Sequence, residues 1–278
     1  MKVVEQHVIG KVNDEMCEDS VVETDGFVAV IDGATSKSSV RYDGLKGGKK
    51  AMLLARECIM RMPCWFSMEE CVCMLTENVR RFYQECGMME LVKMDASARL
   101  TCSIVLYSKR RHEVWMIGDC QFRYEGKTYK NEKIGDALLA GIRADILKYL
   151  IRNGYKPEDL QQNDLGRSWI LDALCDQCNF QNLPVEANNP YSFVVLDGFP
   201  VDIRRVPVYK LPNNDSNHLI LASDGYPILC DTFVETESAL REILEKDPLC
   251  IDLNVSTKGL MVGNKSFDDR TYVMLSDS

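Results

Sequence analysis

The amino-acid sequence predicts an α+β protein whose two β-sheets are covered by helices. Three observations point there. Short runs rich in β-branched and aromatic residues recur along the chain and read as strands. Two long helical patterns follow the third of these runs, as expected for a helical layer lying on a sheet. A mostly helical stretch at about residues 133–189 then separates the middle strands from the later ones, and reads as an insertion or flap within a single domain spanning residues 1–278.

Residues 3–12 read as the first strand, and residues 21–24 and 27–31 as a hairpin around Asp25-Gly26, a pair that favours tight turns. A loop rich in Ser, Lys and Gly covers residues 34–48. Ala51, Leu54, Ala55, Cys58, Ile59 and Met62 fall on one helical face, and Pro63 stops that helix. Ser67 is placed to cap the next helix, with Glu70 positioned to close a capping box. Cys71, Leu75, Val79 and Phe82 mark the apolar face of that helix. Strands are expected at 100–107, 113–117 and 122–124. Helices over 136–152, 157–161 and 168–178 build the insertion, the first with Leu138, Leu139, Ile142, Ile146 and Leu150 as its apolar face. Strands follow at 192–196, 203–211 and 218–223, then a helix at 235–246 and a last strand at 271–275.

With 46% apolar and 27% charged residues, the 278-residue chain has the composition of a globular protein with a substantial core. Its net charge of −9 argues against general binding to nucleic acid or to an anionic membrane. No apolar run approaches the ~20 residues that span a bilayer, and the first residues lack a secretory apolar stretch, so a cytoplasmic location is expected. The twelve cysteines fit a reducing compartment as small core residues. A zinc site is not expected, because Cys175 to Cys178 is a single C-x-x-C. His7, His112 and His218 are expected to be structural or solvated.

Several of the apolar runs end on acidic residues. Phe27-Val28-Ala29-Val30-Ile31 leads into Asp32-Gly33, Val114-Trp115-Met116-Ile117 into Gly118-Asp119, and Leu219-Ile220-Leu221-Ala222 into Ser223-Asp224-Gly225. Glu18-Asp19 precedes Val21-Val22, and Asp268-Asp269 precedes Thr271-Tyr272-Val273-Met274-Leu275. Each Asp-Gly taken alone is a turn signal. If the strands lie side by side, however, their ends collect carboxylates in one place. Such a cluster needs a cation, or else some of its members stay protonated. Oxygen ligands suit hard ions such as Mg²⁺ and Mn²⁺.

In this order, Glu18-Asp19-Ser20, Val30-Ile31-Asp32-Gly33, Ile117-Gly118-Asp119-Cys120, Ala222-Ser223-Asp224-Gly225 and Asp268-Asp269-Arg270-Thr271 resemble the motifs of the metal-dependent protein phosphatase 2C family in a divergent bacterial form. The resemblance runs from about residue 5 to about residue 275, and residues 97–106 are similar to the family's small-residue strand. It implies a four-layer αββα architecture, with a central antiparallel β-sandwich flanked by helices. It also implies two Mg²⁺ or Mn²⁺ ions at one end of the sandwich, activating a shared water that attacks phosphorus. On this likeness Asp32 would bridge the ions, and the Gly33 carbonyl would coordinate one of them. Asp224 and Asp268 would hold one ion, with Asp269 the alternative to Asp268. Glu18 would reach the other ion through water, Asp19 would be a direct or outer ligand, and Asp119 would serve a weaker third site. Asp32 and Asp224 are thereby the catalytic pair, acting through water.

Two positions depart from the family pattern. Asp14 stands where many members carry the arginine that grips the phosphate, and Ala34 stands where many carry a histidine that protonates the leaving oxygen. Lys37 and Arg41, in the loop after Asp32, are the candidate replacements for the grip. The functional expectation is a metal-dependent phosphatase acting on phosphomonoesters, with phospho-Ser or phospho-Thr of a protein as the family-based substrate. The alternatives are a phosphatase acting on a small phosphorylated molecule and a non-catalytic binding module of the same fold. The insertion at about 133–189 is the candidate specificity element, with extra core packing as its other role. The sequence leaves the oligomeric state open.

Overall fold

Strand β3 (Phe27–Gly33) shows how the layers are built, because its apolar residues are buried on both faces. Phe27, Ala29 and Ile31 pack toward one cluster, and Val28 and Val30 toward another. A strand covered on both sides reads as a continuous apolar run rather than an alternating one. Each Val or Ile so buried contributes about 1.5–3 kcal/mol. The computed structural model describes residues 1–212 and 218–276.

Two antiparallel five-stranded sheets are present. In one, β3 lies between β2 (Asp19–Glu23) and β4 (Cys102–Ser108), followed by β5 (Glu113–Ile117) and β8 (Val208–Lys210). The other runs β1 (Lys2–Ile9), β10 (Arg270–Ser276), β9 (His218–Ala222), β6 (Gln121–Tyr124), β7 (Lys127–Tyr129). Between them Val28, Val30, Val105 and Met116 meet Phe122, Leu219, Leu221 and Val273. Helices α1 (Gly47–Met60) and α2 (Met68–Glu85) cover the first sheet through Ala51, Ala55, Leu75 and Val79. The second sheet is covered by α7 (Phe233–Lys246), whose Leu240 packs with Ile220, Ala222 and Tyr272. Helix, sheet, sheet, helix is the expected αββα sandwich. Ser67 and Glu70 close the expected capping box at the start of α2.

The remaining helices, α3 (Met89–Met94), α4 (Ile134–Arg152), α5 (Pro157–Gln162) and α6 (Leu165–Asp176), depart from the pattern in instructive ways. The sequence pattern missed α3 and β7, both short elements. The expected strand at 192–196 forms only isolated bridges at Phe193 and Leu196. There the side-chain amide of Asn182 takes the place of a neighbouring strand, donating to the Val195 carbonyl and accepting from the Val195 N–H, both at 3.0 Å. The expected strand at 203–211 splits into a 3-10 turn at Ile203–Arg205 and β8. The first strand ends at Ile9, where Asp14 accepts from the Gly10 N–H.

The apolar face expected for α4 is also corrected. The helix buries Ala140, Arg143, Ala144 and Leu147, while Leu138 and Ile142 are 52% and 50% exposed. Arg143 is fully buried because its donors are consumed. It bonds Asp164 through Nε and Nη2 at 2.9 and 2.7 Å, and through Nη1 the carbonyls of Leu249, Cys250 and Ser256 at 3.0, 3.3 and 2.9 Å. A guanidinium satisfied in this way can occupy a core position that the hydrophobic pattern assigns to leucine.

Candidate metal and phosphate site

The strand ends gather at one end of the sandwich. Register places Asp19 directly opposite Asp32, and Asp32 opposite Ser103. Beyond β5, Gly118 turns the chain at φ +96°, so that Asp119 returns to Ser103. A side chain at Gly118 would collide with Ser103, with Cβ 2.2 Å from its Oγ. From the other sheet, Ser223-Asp224 follows β9 and Asp268-Asp269 precedes β10. The two ends are tied by Ser223 N–H to Thr271 O at 3.1 Å and Thr271 N–H to Ser223 Oγ at 2.9 Å. Asp32, Asp119, Asp224 and Asp268 line one cleft of about 270 Å³. Gly33 belongs to β3 rather than to a turn. Its role is close approach, since a Cβ there would lie 2.3 Å from the Gly48 carbonyl at the start of α1.

Each carboxylate has a distinct environment. Asp19 Oδ2 accepts from Thr271 Oγ1 at 2.9 Å, while Asp19 Oδ1 and Glu18 Oε1 are buried with no hydrogen-bond partner among the described residues. Asp32 and Asp224 face the same cleft, close enough for the charge of Asp32 to raise the Asp224 carboxyl. Asp119 sits between Ser103 Oγ and Lys133 Nζ, each at 2.5 Å. Asp268 is held by Lys258 and by Lys11, the latter at 3.1 Å. Asp269 is turned away from the cleft. It accepts from Lys11 N at 2.7 Å and Glu18 N at 3.1 Å, which leaves Asp268 as the member of the adjacent pair that lines it.

The charges split accordingly. Burial, then the charges of Asp19, Asp268 and Asp119, push the Asp32 carboxyl well above its ordinary range. Asp224 opens to the cleft, but the surrounding protein desolvates it, and with Asp32 and Asp119 nearby it too is raised well above that range. Asp19 is raised to about 7 by burial and by Asp268 and Asp269. Glu18 is raised, mainly by burial. Burial would raise Asp119 and Asp268 as well, but Lys133 outweighs it at the first and Lys258 and Lys11 at the second, so both are lowered. Burial would push the Lys11 ammonium down, but Asp268, Asp269 and Glu18 hold it up.

Among the described residues, no three His, Cys, Asp or Glu side chains stand in metal-holding geometry. The donor chemistry still fits a hard cation. Two orphaned carboxylate oxygens and two crowded carboxyls whose charged forms are disfavoured are the atoms a divalent ion would satisfy.

Lys37 lines the cleft, as do Ala34 and Thr35, whereas Arg41 is exposed and does not. Asp14 is exposed outside the cleft, and none of the three histidines lines it. The sequence reading missed Lys11, Lys133, Arg167 and Lys258. Lys133 and Arg167 come from the helical segment 133–189, which also supplies Asp136, Leu174 and Gln177 to the cleft wall. Their only sequence signal was position. Lys133 stands immediately before α4, and Arg167 is in the first turn of α6.

No protein-family profile matches the sequence, and no curated protein sequence matches it. Solved structures similar to this chain are PPM Ser/Thr phosphatases and related proteins. The PPM Ser-Thr phosphatase MsPP of Mycobacterium smegmatis, solved with cacodylate, is 15% identical with a TM-score of 0.47, covering 100% of both chains. PppA, a regulatory component of T6SS in Pseudomonas aeruginosa, is 12% identical with a TM-score of 0.47, covering 98% of this chain and 96% of its own. The catalytic domain of the serine/threonine phosphatase PstP, solved with two manganese ions, is 14% identical with a TM-score of 0.46, covering 97% of this chain and 96% of its own. What those proteins bind or hydrolyse belongs to them.

Proposed function

We propose that this chain is a phosphatase that hydrolyses phosphomonoesters with the help of two Mg²⁺ or Mn²⁺ ions, with phospho-Ser or phospho-Thr of a protein as its substrate. The observation that carries this reading is the crowding of carboxyls at the strand ends: Asp32 and Asp224 line the cleft, Asp19 is the cross-strand partner of Asp32, and one oxygen of the buried Asp19 and one of the buried Glu18 lack partners among the described residues. Like charges facing each other across a ladder destabilise it, so this arrangement costs stability unless a cation is present. Glu18, Asp19, Asp32, Asp224 and Asp268 would hold the ions together with the Gly33 carbonyl, and Asp119 would serve a weaker third position. Bound there, the ions would acidify water and offset charge on the phosphoryl oxygens.

The chain's own residues supply the positioning. Thr271 fixes Asp19, Ser103 and Lys133 fix Asp119, and Lys11 and Lys258 fix Asp268. Lys37 adds positive charge to the cleft. Ala34 leaves no proton donor at that position.

A second reading is favoured by the lysines. Lys11, Lys133 and Lys258 already neutralise part of the cluster, as they would in a module that binds a phosphorylated partner without turning it over. Hydrolysis of p-nitrophenyl phosphate and of a phosphothreonine peptide, with Mn²⁺, with Mg²⁺ and with chelator, separates the two. The enzyme reading expects metal-dependent turnover that Asp224→Asn abolishes. No metal-dependent turnover in the wild type rejects it in favour of the module.

A further inference from the structure

Asp14, at the position of the expected phosphate-gripping arginine, lies outside the cleft, yet a guanidinium reaches the cleft from elsewhere. Arg167 stands in the first turn of α6, where its N–H is capped by Asp164 Oδ1 at 2.8 Å. Asp164 is itself fixed, because its other oxygen takes two bonds from the buried Arg143. The Arg167 side chain crosses to the facing wall and donates through Nη1 to the Thr257 carbonyl at 2.7 Å and to Thr257 Oγ1 at 3.4 Å. Both ends of the residue are thus held, and the guanidinium plane is set before any ligand arrives.

Its neighbours in the cleft are committed to carboxylates. Lys133 pairs with Asp119, and Lys258 with Asp268. Arg167 lines the same cleft with no carboxylate within ion-pair distance among the described residues. Its Nε and Nη2 have no hydrogen-bond acceptor among those residues, and neither is a sealed-off buried atom. Burial, the largest influence, holds its pKa below that of an ordinary arginine, consistent with a guanidinium short of counter-charge. It remains charged at any physiological pH. A planar fork with two free donors fits an anion with paired oxygens.

We propose that Arg167 is the phosphate-binding residue of this cleft, supplied by the helical insertion in place of the residue that Asp14 replaces, and that Lys37 assists it. The proposal rests on reading the cleft as a phosphoester site, and it makes the insertion part of the substrate site. The ligand is a phosphate dianion or the phosphoryl group of a monoester.

Two measurements test it with inorganic phosphate as the probe. Calorimetric titration, with and without Mg²⁺, is expected to show at least about tenfold weaker binding in Arg167→Ala and an intermediate loss in Arg167→Lys, which keeps charge but not the fork. In the wild-type chain, phosphate is expected to slow phenylglyoxal modification of Arg167, followed by peptide mass spectrometry, while leaving the exposed Arg204 unaffected. This second measurement decides the matter even if Arg167→Ala fails to fold. Unchanged affinity in a folded Arg167→Ala, no protection of Arg167 by phosphate, or no phosphate binding by the wild type would each overturn the proposal. Phosphate bound at Arg167 without metal-dependent turnover would uphold it while rejecting the hydrolytic reading.

Discussion

Asp19 and Asp32 are direct cross-strand partners at the end of the β2–β3 ladder, and one oxygen of Asp19 has no partner there among the described residues. A sheet places two carboxylates in that relation at a cost to its own stability.

The first concerns pH. Asp19 is raised to about 7, and Asp32 and Asp224 well above their ordinary range. A carboxyl whose pKa is higher folded than unfolded lends stability that is full below the unfolded value, near 4, and is lost as pH rises through the folded value. In chelator, Tm is therefore expected to fall between about pH 4 and about pH 7 or above. Asp119 and Asp268 carry the opposite sign, since their lowered values make their contribution disappear on acidification. Mn²⁺ at about a hundred times its Kd is worth about 2.7 kcal/mol, or roughly 5–10 °C for a chain of this size. Calorimetric melts across this range should show Mn²⁺ raising Tm and flattening its decline. A Tm indifferent to Mn²⁺ at every pH would remove the cation from the site.

The second concerns Lys258, whose ammonium holds Asp268. Lys258→Met leaves Asp268 with Lys11 as its counter-charge. In chelator this should cost about 1–2 kcal/mol, less than a fully buried pair because Lys258 is partly exposed. With Asp268 released from one competitor, the apparent Mn²⁺ affinity should rise. Urea melts in chelator and in Mn²⁺ read both effects, and a deficit of equal size in the two conditions would count against the competition.

The third concerns the node between α4 and α6. Asp164→Ala removes the carboxylate facing a fully buried Arg143. An uncompensated buried charge costs about 3–5 kcal/mol. Urea denaturation should show a loss of that order. Hydrogen exchange should report faster opening at Leu249, Cys250 and Ser256, whose carbonyls Arg143 ties down.

The fourth concerns Gly118. Gly118→Ala forces a side chain into positive φ and into Ser103. A loss of about 2–3 kcal/mol is expected, together with displacement of Asp119 from Ser103 and Lys133. Thermal melts measure the first effect. A crystal structure of the variant showing Asp119 in place would contradict the second.

The sandwich and its acidic end were legible because each signal is local. An apolar run ending on Asp-Gly is read within seven residues, and the order of such runs along the chain carried the rest. Asp268 could not be separated from Asp269, because adjacent carboxylates differ only in which way the strand turns them. The cations of the site were not legible either. Lys11, Lys258 and Arg167 meet their partners across gaps of 257, 10 and 90 residues, and nothing in their immediate neighbours distinguishes them from solvated charges. The α4 face failed for a related reason, since Arg143 is stabilised in the core by carbonyls more than a hundred residues away. Hydrophobic periodicity carries no trace of such a partner.

Arg143 also bears on how this chain can be taken apart. Excising residues 133–189 would remove the Arg143 bonds to the carbonyls of Leu249, Cys250 and Ser256, and the Arg167 contact to Thr257. The helical segment 133–189 and the distant wall are two halves of one part. A chimera that transplants either onto another sandwich would have to transplant both, and lineages that alter one would be expected to alter the other in step.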